Sequence, residues 1–256
     1  MATDLQKRRD ATPPSQDWAP PSYVAEGGTA SEDQLPPASI KFNIKRIKDL
    51  LPSGVKLVAV SKFKPLSDLQ EAYEAGQRVF GESRPQEFSL KATQLPQDIE
   101  WHFIGHLQTN KLKLVLPYAH LVESVDSIHL LQAIEDWAGR NGRCVNVLLE
   151  LHIGMEQTKQ GFSADELLEV ISSSKTWPHV RICGLMGMAS NTDDENRIAA
   201  DFAFIKSIFD ECRMRFPELD SFRELSIGMS GDWHIALNYG ATIVRIGTAI
   251  FGDRFC

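Results

Sequence analysis

The chain contains 256 residues and carries a formal net charge of −7 at pH 7. This acidic balance, without any basic domain, argues against a nucleic-acid-binding protein. No apolar run is long enough to span a membrane or to form a signal-peptide core, and the four scattered cysteines contain no C-x-x-C pair, so we expect a cytoplasmic protein with reduced thiols.

Residues 1–37 differ in composition from the rest of the chain. They contain three Pro-Pro pairs among Ser, Thr, Asp and Gln, with few aliphatic residues. Such a segment cannot bury enough apolar area to offset the entropy lost on ordering. We therefore predict a flexible tail over 1–37 and one folded domain over 38–256.

The folded domain begins with an amphipathic helix, which leads into an apolar strand that ends on a lysine. Ile40, Ile44 and Ile47 recur at helical spacing. The run 56–62 is apolar and partly β-branched, as expected for a strand buried on both faces. Lys62 at its end either points to solvent, as lysines usually do, or loses solvation and acts as an amine nucleophile.

Strand and helix patterns then alternate along the chain. Ser67 to Gln70 form a capping-box pattern after Pro65, and Gly76 is expected to end that helix. Strand-like runs occur at 56–62, 78–81, 99–105, 120–125, 145–151, 180–188, 224–228 and 242–250. Later helical patterns occur at 83–94, 109–115, 127–139, 163–173, 193–215 and 231–239. This alternation predicts an α/β fold, a single (β/α)8 TIM barrel; the alternative is an open doubly-wound sheet, whose usual G-x-G-x-x-G turn is missing.

Glycines and hydroxyl residues follow the seventh and eighth predicted strands. Ser230 and Gly231 are expected to open a helix after the seventh, and Gly247 and Thr248, at the end of the eighth run, are expected to lie opposite them. Glycines let backbone N–H groups approach an anion closely, and barrels frequently bind phosphate between these two loops. Two unrelated glycine turns are the alternative, but their joint occurrence at these places favours a phosphate site.

Arg245 lies inside the otherwise apolar eighth strand, two residues before Gly247. The two residues therefore share a face of the strand. An unpaired buried charge costs several kcal/mol, so the guanidinium needs either an interior carboxylate or a ligand acceptor. A nucleophilic lysine, a phosphate site and an interior arginine together suit pyridoxal 5′-phosphate, which offers an aldehyde, a phosphate and a ring nitrogen.

Several motifs over about 39–254 resemble the pyridoxal phosphate homeostasis protein family. They are Val60-Ser61-Lys62-x-Lys64-Pro65, Phe80-Gly81-Glu82, 101–111, Gly184-Leu185-Met186, Ser226-x-Gly228-Met229-Ser230-x-Asp232 and 244–252. The resemblance implies a fold-type III barrel like the N-terminal domain of alanine racemases. It implies a protein that binds and buffers pyridoxal phosphate, with Lys62 as the Schiff-base lysine. The implied phosphate and ring contacts complete a cofactor-binding set of Lys62, Met229, Ser230, Arg245, Gly247 and Thr248.

Two positions depart from the family pattern. Ser83-Arg84 replaces the usual Asn-Tyr, which puts a polar contact near the cofactor in question. His152 replaces a common Asn; a hydrogen-bonded structural role is expected, with a general base as the alternative. His102 and His106 lack accompanying cysteines or acids, so no metal site is predicted, although His106 is a candidate ligand contact at the barrel mouth.

Three functions remain open: a non-catalytic carrier, an amino-acid racemase, and an empty barrel that serves as an interaction module and binds no cofactor. The resemblance implies that fold-type III racemases add a β-domain that supplies a tyrosine base. Only five residues follow Phe251, so we expect no such domain here. An arginine at the ring nitrogen also weakens the ring as an electron sink. We therefore predict a monomeric carrier of pyridoxal phosphate, with apoenzymes that depend on this cofactor as candidate recipients.

Overall fold

A computed structural model describes residues 39–153 and 160–252 of the chain. The predicted tail at 1–37 lies outside the described residues, as does the part of the His152 motif at 154–156. None of the described helices combines the length and the apolar character needed to cross a bilayer.

Eight parallel strands form a closed barrel in chain order, and β1 pairs with β8 to complete it. The strands are β1 (Lys56–Val60), β2 (Val79–Glu82), β3 (Glu100–Phe103), β4 (Ala119–Val125), β5 (Val145–Glu150), β6 (Val180–Met186), β7 (Glu224–Ser226) and β8 (Ile243–Ile246). The predicted (β/α)8 fold is thus confirmed.

Helices precede, connect and follow the strands. They are α1 (Ile40–Leu50), α2 (Leu66–Glu74), α3 (Pro85–Gln94), α4 (Leu112–Val115), α5 (Ile128–Arg140), α6 (Ala164–Ser172), α7 (Glu195–Arg215), α8 (Trp233–Leu237) and α9 (Thr248–Phe251), with 3-10 turns at Thr109–Lys111 and Ser174–Thr176. Because the connections run on the outside, all strands present their carboxyl ends at the same mouth of the barrel.

The apolar core has two parts, inside and outside the ring of strands. The larger part lies between strands and helices. A small cluster, which includes Val58, Leu148 and Ile243, packs within the barrel. Strands buried on both faces read as continuous apolar runs, and for this reason the sequence predicts their number correctly.

The capping box predicted after Pro65 is not formed. Ser67 forms no capping box: α2 begins after Pro65, which makes no side-chain cap, and the Ser67 hydroxyl instead donates to Asp68. Pro65 is suited to this position because its fixed φ precedes the helix without an N–H to satisfy. The capping box of the described chain is at α6, between Ser163 and Glu166.

Two further boundaries near the predicted phosphate site were wrong. The eighth strand ends at Ile246 rather than at 250, and Gly247 caps the short helix α9. The helix after β7 begins at Trp233, because residues 230–232 form a turn instead of a first helical turn. Both differences place Ser230, Gly247 and Thr248 in loops or at a helix start, where backbone N–H groups are available.

Candidate functional site

Lys62 lies two residues beyond the end of β1, at the mouth of the barrel. Lys62 is partly buried, so it is not fully exposed to solvent. It also lies outside β1, although the predicted strand included it. The next residue, Phe63, adopts a left-handed backbone conformation with φ of 65°. For a residue with a large side chain this conformation costs about 1–3 kcal/mol and persists only where neighbouring contacts impose it.

Four side chains, which we call the Lys91 cluster (Ser61, Glu82, Glu87 and Lys91), hold the backbone on both sides of Lys62. The buried Lys91 ammonium donates to the Ser61 carbonyl at 2.8 Å and to both carboxylates at 2.7 Å. Glu87 accepts the N–H of Phe63 at 2.7 Å, and Ser61 Oγ donates to Glu82 at 2.7 Å. The backbone before and after Lys62 is therefore held by the buried ammonium of Lys91, directly at Ser61 and through Glu87 at Phe63.

Glu82 is the most confined member of the Lys91 cluster. Its side chain has no exposed surface, and among the described residues its Oε2 has no hydrogen-bond partner. Burial raises the pKa of Glu82 in spite of the opposing charge of Lys91. Removal of that ammonium would leave a buried carboxyl with little compensation.

The Ser83-Arg84 departure has a structural role at this mouth. The Arg84 guanidinium stacks over the Phe63 ring at 4.1 Å, one residue from Lys62. Ser83 packs so closely on Gly105 that a Cβ at the glycine would lie 2.2 Å from the Ser83 carbonyl oxygen. Arg84 thus packs beside Lys62, and Ser83 packs against Gly105.

The loops that follow β7 and β8 meet next to β1. The N–H of Gly247 donates to Ser230 Oγ at 3.1 Å. A Cβ at Gly247 would lie 3.2 Å from the Val60 carbonyl oxygen, so this turn touches the strand that carries Lys62. The structure therefore brings Ser230 and Gly247 together, with the Lys62 loop beside them.

Thr248 and Met229 complete this region. Thr248 is exposed at the first position of α9. Met229 is 38% exposed, and its N–H donates to the carboxylate of the buried Asp232. Lys64 donates to the carbonyls of Phe251 at 2.9 Å and of residue 252 at 3.1 Å, so α9 is tied to the loop that contains Lys62.

Arg245 points into the barrel, as the sequence predicts, and an interior carboxylate does lie near it. Its Nη1 donates to the carbonyl and hydroxyl oxygens of Ser226 at 2.9 and 2.7 Å, and its Nη2 donates to Gly187 O at 3.0 Å. Glu123 lies 3.8 Å away. Of the five guanidinium N–H groups, two have no partner in the described part of the chain.

A chain of buried polar groups continues from Arg245 across the barrel. Ser226 Oγ donates to Glu123 at 2.6 Å, and the other oxygen of Glu123 bonds His102 Nδ1 at 2.5 Å. Burial opposes ionisation of Glu123, but its hydrogen bonds to His102 and Ser226 and the positive charge of Arg245 hold its pKa below the usual value. No group of three or more metal-ligating side chains occurs in the described residues.

Glu150, at the end of β5, is a residue that the sequence reading missed. Its side chain shares the inward face of the strand with Leu148 and is 8% exposed. Burial, with the nearby charge of Asp126, raises the pKa of Glu150 to about 7, while Arg245 and His106 oppose the rise. The available signal was a charged residue two positions from an inward-facing apolar residue in a strand. The same kind of signal pointed to Arg245.

A cavity of about 660 Å³ opens beside Glu150. Its walls come from the end of β5, the loop after β6 and the loop after β7. His152 faces it and bonds the Gln160 carbonyl through Nδ1 at 3.1 Å, in agreement with the hydrogen-bonded role expected for this histidine. The cavity shares Met229 with the predicted cofactor set; the other five residues of that set do not line it.

Known proteins resemble this chain over most of its length. Residues 37–255 match the model of the alanine racemase N-terminal domain family. The pyridoxal phosphate homeostasis protein of Pasteurella multocida is 37% identical over 205 residues, which cover 79% of this chain and 88% of the relative. Its namesake in Schizosaccharomyces pombe is 36% identical over 207 residues, covering 78% and 85%.

Solved structures agree with these sequence matches. PipY of Synechococcus elongatus without pyridoxal phosphate superposes with a TM-score of 0.79 at 35% identity, covering 84% of this chain and all of PipY. The same protein with the cofactor bound gives 0.77 at 34%. Alanine racemase of Corynebacterium glutamicum, at 15% identity and a TM-score of 0.70, shares the fold alone. The chain described here belongs to the pyridoxal phosphate homeostasis protein family.

Proposed function

We propose that this protein binds pyridoxal 5′-phosphate through Lys62 and holds the cofactor for supply to other proteins. The observation that carries the proposal is the contact between the loops after β7 and β8 next to Lys62. Gly247 N–H and Ser230 Oγ lie 3.1 Å apart there, and the turn touches Val60. A relative that is 34% identical has been solved with this cofactor bound, which supports the choice of ligand.

The residues at the mouth fit the chemistry of this cofactor. Lys62 provides a primary amine for the aldehyde. Gly247, with Ser230 and Thr248, provides close backbone approach and hydroxyl groups for the phosphate oxygens. Arg245 retains two N–H groups without partners in the described residues, which suit a ring nitrogen that accepts. When bound, the cofactor supplies an aldehyde that condenses with amines and a ring that withdraws electrons.

Arg245 favours a holding function over catalysis. A guanidinium is always charged and donates only, so it keeps an adjoining ring nitrogen unprotonated. Glu123 and Ser226 fix this guanidinium in place within the barrel. We therefore propose a non-catalytic, monomeric carrier in the cytoplasm, with apoenzymes that depend on the cofactor as recipients.

The lysine assignment is tested by covalent trapping. The purified protein is mixed with pyridoxal phosphate, reduced with borohydride and digested, and the modified peptide is identified by mass spectrometry. We expect the label on Lys62 and a visible absorption band that Lys62→Ala abolishes. Lys113→Ala is the matched control, because Lys113 is exposed on α4, and it should load normally.

Two outcomes would contradict the proposal. A reducible adduct of undiminished amount in Lys62→Ala would mean that another amine holds the cofactor. Sustained racemisation of L- or D-alanine, lost in Lys62→Ala, would instead establish the racemase alternative.

A further inference from the structure

The cavity beside Glu150 lies on the β5 to β7 side of the barrel mouth. Ile153 and Gln160 border it after β5, Met188 and Ser190 after β6, and Gly231 after β7. Of the six residues predicted to bind the cofactor, Met229 alone lines it, and the cavity excludes Lys62 and Gly247. The cavity therefore adjoins the predicted cofactor site, and apart from Met229 it is lined by other residues.

Two buried carboxylates, Glu150 and Asp232, line this cavity, and Asp232 accepts the N–H of Met229. Glu150 has no such partner in the described part of the chain. The residue is 8% exposed. Its backbone carbonyl accepts the N–H of Phe162, but its carboxylate forms no hydrogen bond with any other described residue. The charges that face it from neighbouring elements are Asp126, His106 and Arg245. A carboxyl group that is this buried is normally paired, because desolvation without a partner is costly.

The other walls define what such a partner would be. Asp193 and Glu195 add negative charge, and the described lining includes neither lysine nor arginine. Met188, Ile198 and Ile235 add apolar surface. A cation with an apolar chain matches this combination, whereas a metal ion would need several converging ligands, and no such group exists in the described residues.

We propose that this cavity is a binding site for primary ammonium compounds, with the ammonium on Glu150 and the apolar chain against Met188 and Ile198. A charge-assisted hydrogen bond to the ammonium would satisfy the Glu150 carboxylate. The alkyl portion would remove apolar surface of the cavity from water. The site requires no cofactor, so its test is independent of the proposed function.

The test titrates ¹⁵N-labelled, cofactor-free protein at pH 8 with n-hexylamine, which is protonated there, and with n-hexanol and hexanoate as matched probes. We expect n-hexylamine to shift the amide signals of Ser190, Asn191 and Gly231. Hexanol and hexanoate should bind at least tenfold more weakly. Equal binding of hexanol, or shifts confined to other parts of the barrel, would overturn the proposal.

Variants assign the site to Glu150. Glu150→Gln retains the shape of the side chain and should weaken n-hexylamine binding at least tenfold. Glu169→Gln, at an exposed position on α6, should leave it unchanged. Unaltered affinity in Glu150→Gln would refute the assignment. Should Glu150→Gln fail to fold, the ratio of n-hexylamine to n-hexanol affinity in the unmodified protein still decides the question.

Discussion

Glu150 links the titration of one residue to the stability of the whole chain. Its pKa is raised from 4.5 to about 7, chiefly by burial. Between these pH values the folded protein retains a proton that the unfolded chain releases. Stability therefore falls as the pH rises from about 4.5 towards 7, and Glu150 opposes folding most strongly above pH 7.

We predict that Glu150→Gln stabilises the protein at pH 8 but not at pH 4. The gain at pH 8 should approach roughly 3 kcal/mol, because the substitution removes a buried carboxylate that must otherwise ionise. Urea unfolding at the two pH values measures the difference. Glu169→Gln is the control and should show no such pH dependence; a destabilised Glu150→Gln at pH 8 would contradict the raised pKa.

At the scale of elements, the Lys91 cluster connects α3 to the loop after β1. Lys91 and Glu87 are on the helix, Glu82 ends β2, and Ser61 follows β1. One helix thus sets the backbone around Lys62. The sequence makes Lys62 a candidate through its place after an apolar run and through the family resemblance. It gives no sign of the role of Lys91, because the partners of a helix lysine lie in other elements and have no local signature.

We predict that Lys91→Met destabilises the protein by about 3–5 kcal/mol, because Glu82 remains buried after its partner is removed. Urea unfolding measures the loss, and amide exchange at Phe63 should speed up as its loop loosens. Lys45→Met, which removes only an exposed pair with Asp49, should cost less than about 0.5 kcal/mol. Equal unfolding midpoints for the two variants would show that the cluster does not hold the loop.

The ends of elements were harder to predict than their number. Gly247 and Thr248 continue an apolar run, so the eighth strand reads as longer than it is. Tertiary contacts end this strand: the turn at Gly247 packs on Val60, and Lys64 donates to the last carbonyl of the helix that follows. Glu150 was missed although its register in β5 was a signal, since the charges that face it, Asp126, His106 and Arg245, lie far from it in the sequence.

At the scale of the whole molecule, closure joins the two ends of the described chain. β1 pairs with β8 in parallel register from Lys56 opposite Ile243 to Ala59 opposite Ile246. The amide of the Asn43 side chain in α1 also donates to Ile250 O at 2.9 Å. The folded unit therefore has its own closing contacts, and the proline-rich composition of residues 1–37 predicts no contribution from them.

We predict that a chain consisting of residues 38–256 folds and loads pyridoxal phosphate as the full chain does. Its unfolding temperature should agree within about 2 °C, because removal of residues that bury little apolar area changes stability by less than about 0.5 kcal/mol. Differential scanning calorimetry and cofactor titration measure both properties. A drop of many degrees, or a loss of loading, would show that the tail packs on the barrel.

The β1–β8 pairing also determines when the site can come into existence. During synthesis Lys62 emerges early, but Gly247 and Ser230 are made only with the last strands, and the two regions become neighbours when the ring closes. A nascent chain thus exposes the amine of Lys62 long before the residues proposed to bind the phosphate have been made. A ligand that contacts both regions can bind only after the barrel has closed. Its binding then stabilises the pairing of β1 with β8.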